Sequence, residues 1–325
     1  CRPIKFEFVK ETAIVINEEV KRVEDEIANL VNTVVEVHNK IFSISHTLLL
    51  TMIDGKIAST LTQTSSMAVC FICNAKPTEM NDLEILKTKT ESEDALKFGI
   101  SPLHARIKFM ECILHIAYRK HFKAWRTNAN SRTAMEEEKR NIQRNLKAVL
   151  GINVDVVKQG VGSTNDGNTS RRFFENPRIT AEIVGVDENL IHRFKIILAT
   201  INCNEPIDSK KFHDYCMDTA QLYISLYSWY YMPISVHKVL VHGCKIIAAA
   251  ILPIGMLSEE AQEARNKDYK KYRLHHARKC DRVSTNVDVM NHLLASSDPY
   301  INKLRSKPKK KYLEMHEDVK NLLCD

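Results

Sequence analysis

The chain has 325 residues, of which 44% are hydrophobic and 27% charged, with only nine Gly and nine Pro. This composition is typical of a folded globular protein and argues against a largely disordered chain. The formal charge of +7 favours a polyanionic partner only weakly, and no apolar run is long and unbroken enough to span a bilayer. The nine cysteines are odd in number and thinly spread, which favours free thiols plus a metal site over a disulfide framework.

The first third of the chain predicts strand, helix and strand in that order. Residues 4–8 alternate between apolar and polar side chains, which indicates a strand with one buried face. Apolar residues then recur every three or four positions over 17–38, the pattern of an amphipathic helix. Residues 47–54 form an apolar run of strand length that ends in a carboxylate. This order is that of an α/β fold.

The rest of the chain predicts helices joined by polar loops. The helical patterns cover 103–126, 135–150, 187–200 and 208–231, and a further helix begins near Ser258. The clearest loop is the stretch 160–170, which is rich in Gly, Asn, Ser and Thr. The basic run 307–311 predicts a solvated loop before a short last helix.

Asp54 ends the second predicted strand. An acid in this position lies at the edge of a sheet, where a metal ion and a substrate can reach it. An Asp followed by a Gly, here Gly55, is also a common turn residue that bonds its own backbone. The position alone leaves both interpretations open.

Two pairs of potential zinc ligands occur far apart in the sequence. Cys70 and Cys73 form a Cys-x-x-Cys pair, which is half of a tetrahedral zinc site. His237 and His242 have a spacing suited to the other half. Together they predict one structural zinc that ties a loop to a distant helix. Two buried thiols and two unrelated histidines are the alternative.

The helix that begins near Ser258 carries acids first and bases later, which suits the helix dipole. A solvated, well-capped helix explains this pattern. It also fits a functional site, in which Glu263 binds a metal while neighbouring polar and basic side chains hold phosphates. The residues concerned are Asn266, Lys267, Lys270 and Arg273.

Taken in order, these motifs resemble the catalytic core shared by Transib transposases and the V(D)J recombination-activating protein. The match is most specific at His237-Lys-x-Leu-x-His242 and at Glu263-Ala-Arg-Asn-Lys267, which resembles the Glu-x-x-Asn-Lys around the catalytic glutamate of that family. Asp54 falls where the second catalytic aspartate is expected, and Cys70-x-x-Cys73 follows it. Between residues 84 and 230 the resemblance is weak.

The resemblance implies an α/β, ribonuclease-H-like catalytic fold interrupted by a large, mostly helical, zinc-bearing insertion. In that arrangement, residues 1–69 form part of the catalytic fold, 70–245 form the helical insertion with the zinc site, and 246–325 form a helical segment that carries the catalytic glutamate. The implied partners are double-stranded DNA at transposon ends and a second copy of the chain, and the implied location is the nucleus.

The resemblance also implies the chemistry. Asp54 and Glu263 are expected to bind two divalent ions, Mg or Mn, that serve DNA nicking, hairpin formation and strand transfer. The chain is expected to begin downstream of the first catalytic aspartate, because Asp25, the only aspartate before Asp54, falls on the charged face of a predicted helix. As given, it is therefore expected not to cleave DNA.

Two other functions fit the same sequence. One is a domesticated or decayed derivative that keeps zinc and DNA binding without catalysis. The other is an unrelated helical zinc protein that mediates protein contacts. Salt-dependent DNA binding separates the recombinase and its non-catalytic derivative from the unrelated zinc protein. A protein that neutralises DNA phosphates releases counterions, whereas protein contacts need not.

Overall fold

The structure is a computed structural model, and it describes residues 2–5, 9–10, 12–48, 53, 55–158, 162–304 and 314–324. It is mostly helical with a few short strands. The chain divides into two compact units. The large unit comprises Thr12–Leu257 with His316–Asp325, and the small unit comprises Cys1–Glu11 with Ser258–Met315.

The large unit begins with a helix and a hairpin. Helix α1 (Ala13–Ala28) starts at the N-cap Thr12, and strands β1 (Thr33–Val37) and β2 (Lys40–Ile44) pair in antiparallel register. The helical prediction is therefore confirmed for its first part and wrong beyond Asn29. Residues 33–37 are rich in β-branched side chains, which favour a strand. His38 and Asn39 both have positive φ, as a two-residue hairpin turn of type I′ requires.

Two predicted strands cannot be compared fully with the structure. Residues 6–8 lie outside the described residues, and the described residues on either side of them are not in a strand. Of the predicted strand 47–54, residues 49–52 and Asp54 also lie outside them.

Helices make up most of the remaining large unit. They are α2 (Gly55–Leu61), α3 (Leu83–Lys87), α4 (Glu93–Leu96), α5 (Pro102–Arg119), α6 (Ala129–Leu150), α7 (Gly167–Glu175), α8 (Pro177–Val184), α9 (Glu188–Ile201), α10 (Ser209–Tyr227) and α11 (Ile234–Ala249), with 3-10 turns at Pro77–Glu79 and Ile254–Leu257. Strands β3 (Val157–Lys158) and β4 (Gly162–Ser163) form a two-residue ladder. The four helices predicted over 103–231 are confirmed as α5, α6, α9 and α10. The predicted loop 160–170 is shorter than expected, because Asp166 caps α7 by accepting from the Thr169 backbone.

The core of the large unit lies around α5 and α9. Helix α5 starts at Ser101, whose hydroxyl accepts from the His104 backbone, with Pro102 in the first turn. Phe109 on α5 and Phe194 on α9 are fully buried, and their ring centroids lie 4.6 Å apart in an edge-on arrangement. This packing provides a rigid support for α11, which contacts α5 and α10.

The small unit consists of α12 (Glu260–His275), α13 (Arg282–Ser296) and α14 (Pro299–Leu304). The helix predicted from Ser258 onward is thereby confirmed as α12. The predicted short last helix is confirmed as α15 (Glu317–Lys320), which belongs to the large unit, whereas 307–311 lie outside the described residues. The boundaries predicted at 69/70 and 245/246 stay predictions.

Candidate metal centre

The two cysteines lie on a tight turn that exposes neither of them. The backbone N–H of Asn74 donates to the Cys70 carbonyl at 2.7 Å, and the Cys70 N–H donates to the Ala75 carbonyl at 3.0 Å. Asn74 has a φ of 57°, in the left-handed region that Asn tolerates better than most residues. The turn brings both thiols to one side, and Cys70 and Cys73 are only 0% and 2% exposed.

The two histidines lie on α11, which begins after Pro233. His237 and His242 are 0% and 1% exposed, and their ring centroids lie 4.9 Å apart. Residues five apart on an ideal helix point about 140° from each other. The rings nevertheless converge, with 3.1 Å between the two Nε2 atoms.

The four side chains meet, as the sequence predicted. One ligand atom from each lies within 4.8 Å of the others, although His237 follows Cys73 by 164 positions. The Cys73 Sγ lies 3.4 Å from His237 Nε2. Zinc bonds of about 2.0–2.1 Å to nitrogen and 2.3 Å to sulfur give a tetrahedron with edges of about 3.3–3.8 Å. The distance between the two histidine Nε2 atoms, 3.1 Å, is only slightly shorter than such an edge. The donor atoms therefore lie close to the positions that a buried zinc ion requires.

The electrostatics of the cluster also suit a cation. The hydrogen bond from the Cys73 thiol, followed by those from His237 and His242, lowers the pKa of Cys70, while Cys70 raises the pKa of Cys73. The pKa values of the two thiols are therefore shifted in opposite directions. Burial lowers the pKa of His237, which favours the neutral imidazole that binds metal ions.

A carboxylate that sequence reasoning missed supports one histidine. Glu91 lies between α3 and α4, with its Oε1 3.1 Å from His242 Nδ1. Its Oε2 accepts from Lys245 Nζ at 2.6 Å. A carboxylate behind a ligating histidine fixes the ring and its tautomer and raises its basicity. His237 lacks such support, because its buried Nδ1 has no hydrogen-bond partner among the described residues.

Glu91→Gln is expected to weaken zinc binding by about 10- to 100-fold, because the neutral amide supports the His242 ring less well. The measurement is zinc competition against a chromogenic chelator. Glu84→Gln is the matched control, since Glu84 is an exposed carboxylate on α3 that pairs with Lys87. Equal affinities in the two variants would show that Glu91 does not act on the metal.

The predicted acidic ligands are less fully described. Asp54 lies outside the described residues, so its predicted position stays a prediction. Glu263 lies on the exposed surface of α12 and accepts a weak 3.4 Å hydrogen bond from Asn266 Nδ2.

Helix α12 has two distinct faces. On an ideal helix, Glu263 and the four predicted DNA-binding residues fall within an arc of about 120°. All five are exposed: Glu263, Asn266, Lys267, Lys270 and Arg273. The opposite face packs on α13, where Arg265 donates to the Leu293 carbonyl and the Ser296 hydroxyl at 2.8 and 2.9 Å, and Tyr272 stacks on His292.

Comparison of the sequence with known protein families and with characterised proteins finds no match. In the part of the chain that the structure describes, no single helix is long and apolar enough to cross a membrane. Among the same described residues, one bent pair of neighbouring helical segments passes the test of length and composition.

Proposed function

We propose that this chain is the core of a DNA recombinase of the Transib type. In this proposal the fold is ribonuclease-H-like with a helical insertion, and the Cys70, Cys73, His237 and His242 centre holds a structural zinc. Asp54 and Glu263 are carboxylate ligands of catalytic divalent ions, and the exposed face of α12 binds DNA.

The observation that carries the proposal is the meeting of the two zinc half-sites. Four residues from two distant motifs form one buried cluster of donors suited to zinc. Both pairs belong to the family resemblance, which is most specific at the histidine pair and at Glu263, and Glu263 follows His242 on the next long helix. If the resemblance were due to chance, nothing would bring the cysteine pair and the histidine pair together in the fold.

The distribution of charge supports a polyanionic partner. Residues 258–315 contain 14 Lys and Arg against 8 Asp and Glu, and residues 1–11 contain three against two. The small unit therefore accounts for the whole formal net charge of +7, and the large unit is neutral. A basic unit that carries an exposed row of cations is the electrostatic pattern of a nucleic-acid-binding surface.

The chain's own residues would act by binding and positioning. Lys267, Lys270 and Arg273 neutralise phosphates on either side of the scissile bond, and Asn266 adds a neutral donor. Glu263 and Asp54 act as metal ligands and do not shuttle protons. The divalent ions that these two carboxylates would hold would supply activation of the attacking oxygen and stabilisation of the leaving oxygen.

The first test is the salt dependence of DNA binding. The double variant Lys267→Gln/Lys270→Gln should bind duplex DNA more weakly, and its plot of log affinity against log salt should be less steep by about 1 to 2 units, as expected for two lost phosphate contacts. The control is Lys147→Gln/Lys158→Gln, two exposed lysines of the large unit. Fluorescence anisotropy at several salt concentrations gives both values.

Equal slopes in the two double variants would contradict the DNA-binding role of α12. An unmodified chain that shows no salt-dependent binding would favour a helical zinc protein that mediates protein contacts.

The second test asks whether Asp54 and Glu263 bind the same ions. Iron(II) replaces magnesium at carboxylate sites and, with ascorbate and peroxide, cuts the backbone nearby. We expect cuts close to both residue 54 and residue 263, and both cuts should disappear in Asp54→Asn and in Glu263→Gln. Cutting near only one residue, or cutting that survives both substitutions, would refute the shared site.

A further inference from the structure

The C-terminal segment of the chain returns to the large unit. The Asp208 N–H donates to the Leu322 carbonyl and the Cys324 N–H to the Pro206 carbonyl, both at 3.0 Å. Leu322 and Leu323 are buried, and α15 packs on α9. This docking brings residues from the end of the chain to the surface of a core helix.

A second group of metal-ligand side chains meets at this contact. His192 on α9, and His316 and Asp318 at the start of α15, each place a potential ligand atom within 4.8 Å of the others. The Asp318 Oδ2 lies 3.1 Å from His192 Nε2 and 3.6 Å from His316 Nδ1. These separations lie near the tetrahedral edges of about 3.3–3.5 Å that nitrogen and oxygen ligands form around zinc.

The guanidinium of the neighbouring Arg193 binds other groups and not the Asp318 carboxylate. Arg193 follows His192 in the chain, but its guanidinium lies 4.1 Å from the Tyr215 ring centroid. It donates to the Thr219 hydroxyl and to the Tyr215 carbonyl at 2.8 and 2.9 Å. Among the described residues, two imidazoles therefore converge on one Asp318 oxygen, and no guanidinium pairs with it.

We propose that His192, His316 and Asp318 form a second site, for a divalent transition metal such as zinc, that fastens the C-terminal segment to α9. Two imidazoles and one carboxylate are a common three-ligand set for zinc, with water completing the tetrahedron. The side chains are 34%, 47% and 44% exposed, so the site exchanges metal with solvent and binds it more weakly than the buried centre. Ligation through His316 Nδ1 replaces the 3.2 Å hydrogen bond that this nitrogen accepts from the Asp318 backbone.

The test is a cobalt(II) titration of protein whose buried centre already holds zinc. We expect one further equivalent of cobalt to bind, with a visible spectrum that lacks a thiolate-to-cobalt charge-transfer band. His192→Ala and Asp318→Asn should each weaken cobalt binding by more than about 100-fold, because losing a group that only supports a ligand already costs about 10- to 100-fold. Asp318→Asn nearly keeps the shape of the aspartate. With cobalt bound, hydrogen exchange of the α15 amides should slow in the unmodified chain but not in the two site variants.

His121→Ala is the matched control, because the exposed His121 ring lies 3.6 Å from Glu138, a carboxylate that already pairs with Lys120 at 3.1 Å, and neither residue belongs to a metal-ligand cluster among the described residues. It should bind cobalt like the unmodified chain. The proposal is overturned if no cobalt binds beyond the buried centre, if both site variants bind it unchanged, or if all the added cobalt shows the thiolate band. The site lies within the large unit and does not rest on the proposed DNA function, so loss of DNA binding leaves it intact.

Discussion

Cys73→Ser is expected to destabilise the large unit by about 3 kcal/mol or more and to make its thermal unfolding insensitive to a zinc chelator. Structural zinc contributes about 10–16 kcal/mol in small zinc-finger peptides, which fold only with metal. The large unit has a helical core of its own, so only part of such an amount is lost here. Without zinc, the cysteine turn and α11 lose their link, and three polar ligands stay buried without a cation.

The measurement is circular dichroism melting with and without chelator, and Cys216→Ser is the matched control. Cys216 is 1% exposed and, like Cys73, a free thiol, but it lies outside the ligand cluster. Cys216→Ser should lower the stability only by the packing and solvation cost of that substitution. Chelator should still lower its melting temperature. If chelator lowers the melting temperature of Cys73→Ser as much as that of the unmodified chain, Cys73 is not a ligand of a stabilising metal.

Arg265→Met is expected to loosen the packing of α12 on α13 and thereby to weaken DNA binding, although Arg265 lies on the face away from the proposed DNA surface. The Arg265 side chain is 18% exposed and donates to Asp268, to the Leu293 carbonyl and to the Ser296 hydroxyl. Hydrogen bonds from a charged group contribute about 1.5–3 kcal/mol each when buried. We expect a loss of about 2 kcal/mol after allowing for screening of the partly exposed Asp268 pair.

Hydrogen exchange of the α12 and α13 amides measures this effect best, because global unfolding is dominated by the larger core. Lys271→Met is the control, since it removes the same charge from an exposed position of α12. The control should leave exchange unchanged and weaken DNA binding less than Arg265→Met does. Equal exchange rates in the two variants would mean that Arg265 does not hold α12 in place.

The helices were the most predictable part of the fold. Their apolar positions recur at helical spacing over long stretches, and the residue that caps α5, Ser101, has a short polar side chain. The hairpin after α1 was missed because Val31, Val34 and Val35 continue the helical spacing while their β-branching favours strand. At such a junction, periodicity and intrinsic preference disagree, and the turn at His38 and Asn39 decides the outcome.

The ligands of the metal centre were predictable, but their support was not. The spacings in Cys-x-x-Cys and His-x4-His are typical of pairs of zinc ligands, so the sequence alone indicates their chemistry. Glu91 reaches His242 only through the tertiary fold, 151 positions away, and nothing in its local sequence marks it. The site of His192, His316 and Asp318 was missed for the same reason, since it forms only when the end of the chain docks on α9.

X-ray absorption spectroscopy of the tightly bound metal tests the central claim most directly. After dialysis against a weak chelator, the chain should retain one zinc with two sulfur ligands at about 2.3 Å and two nitrogen ligands at about 2.0–2.1 Å. His237→Ala and Cys73→Ser should each lose that zinc. A coordination shell of only nitrogen and oxygen, or zinc retained by either variant, would contradict the joining of the two distant pairs and remove the main support for the recombinase proposal.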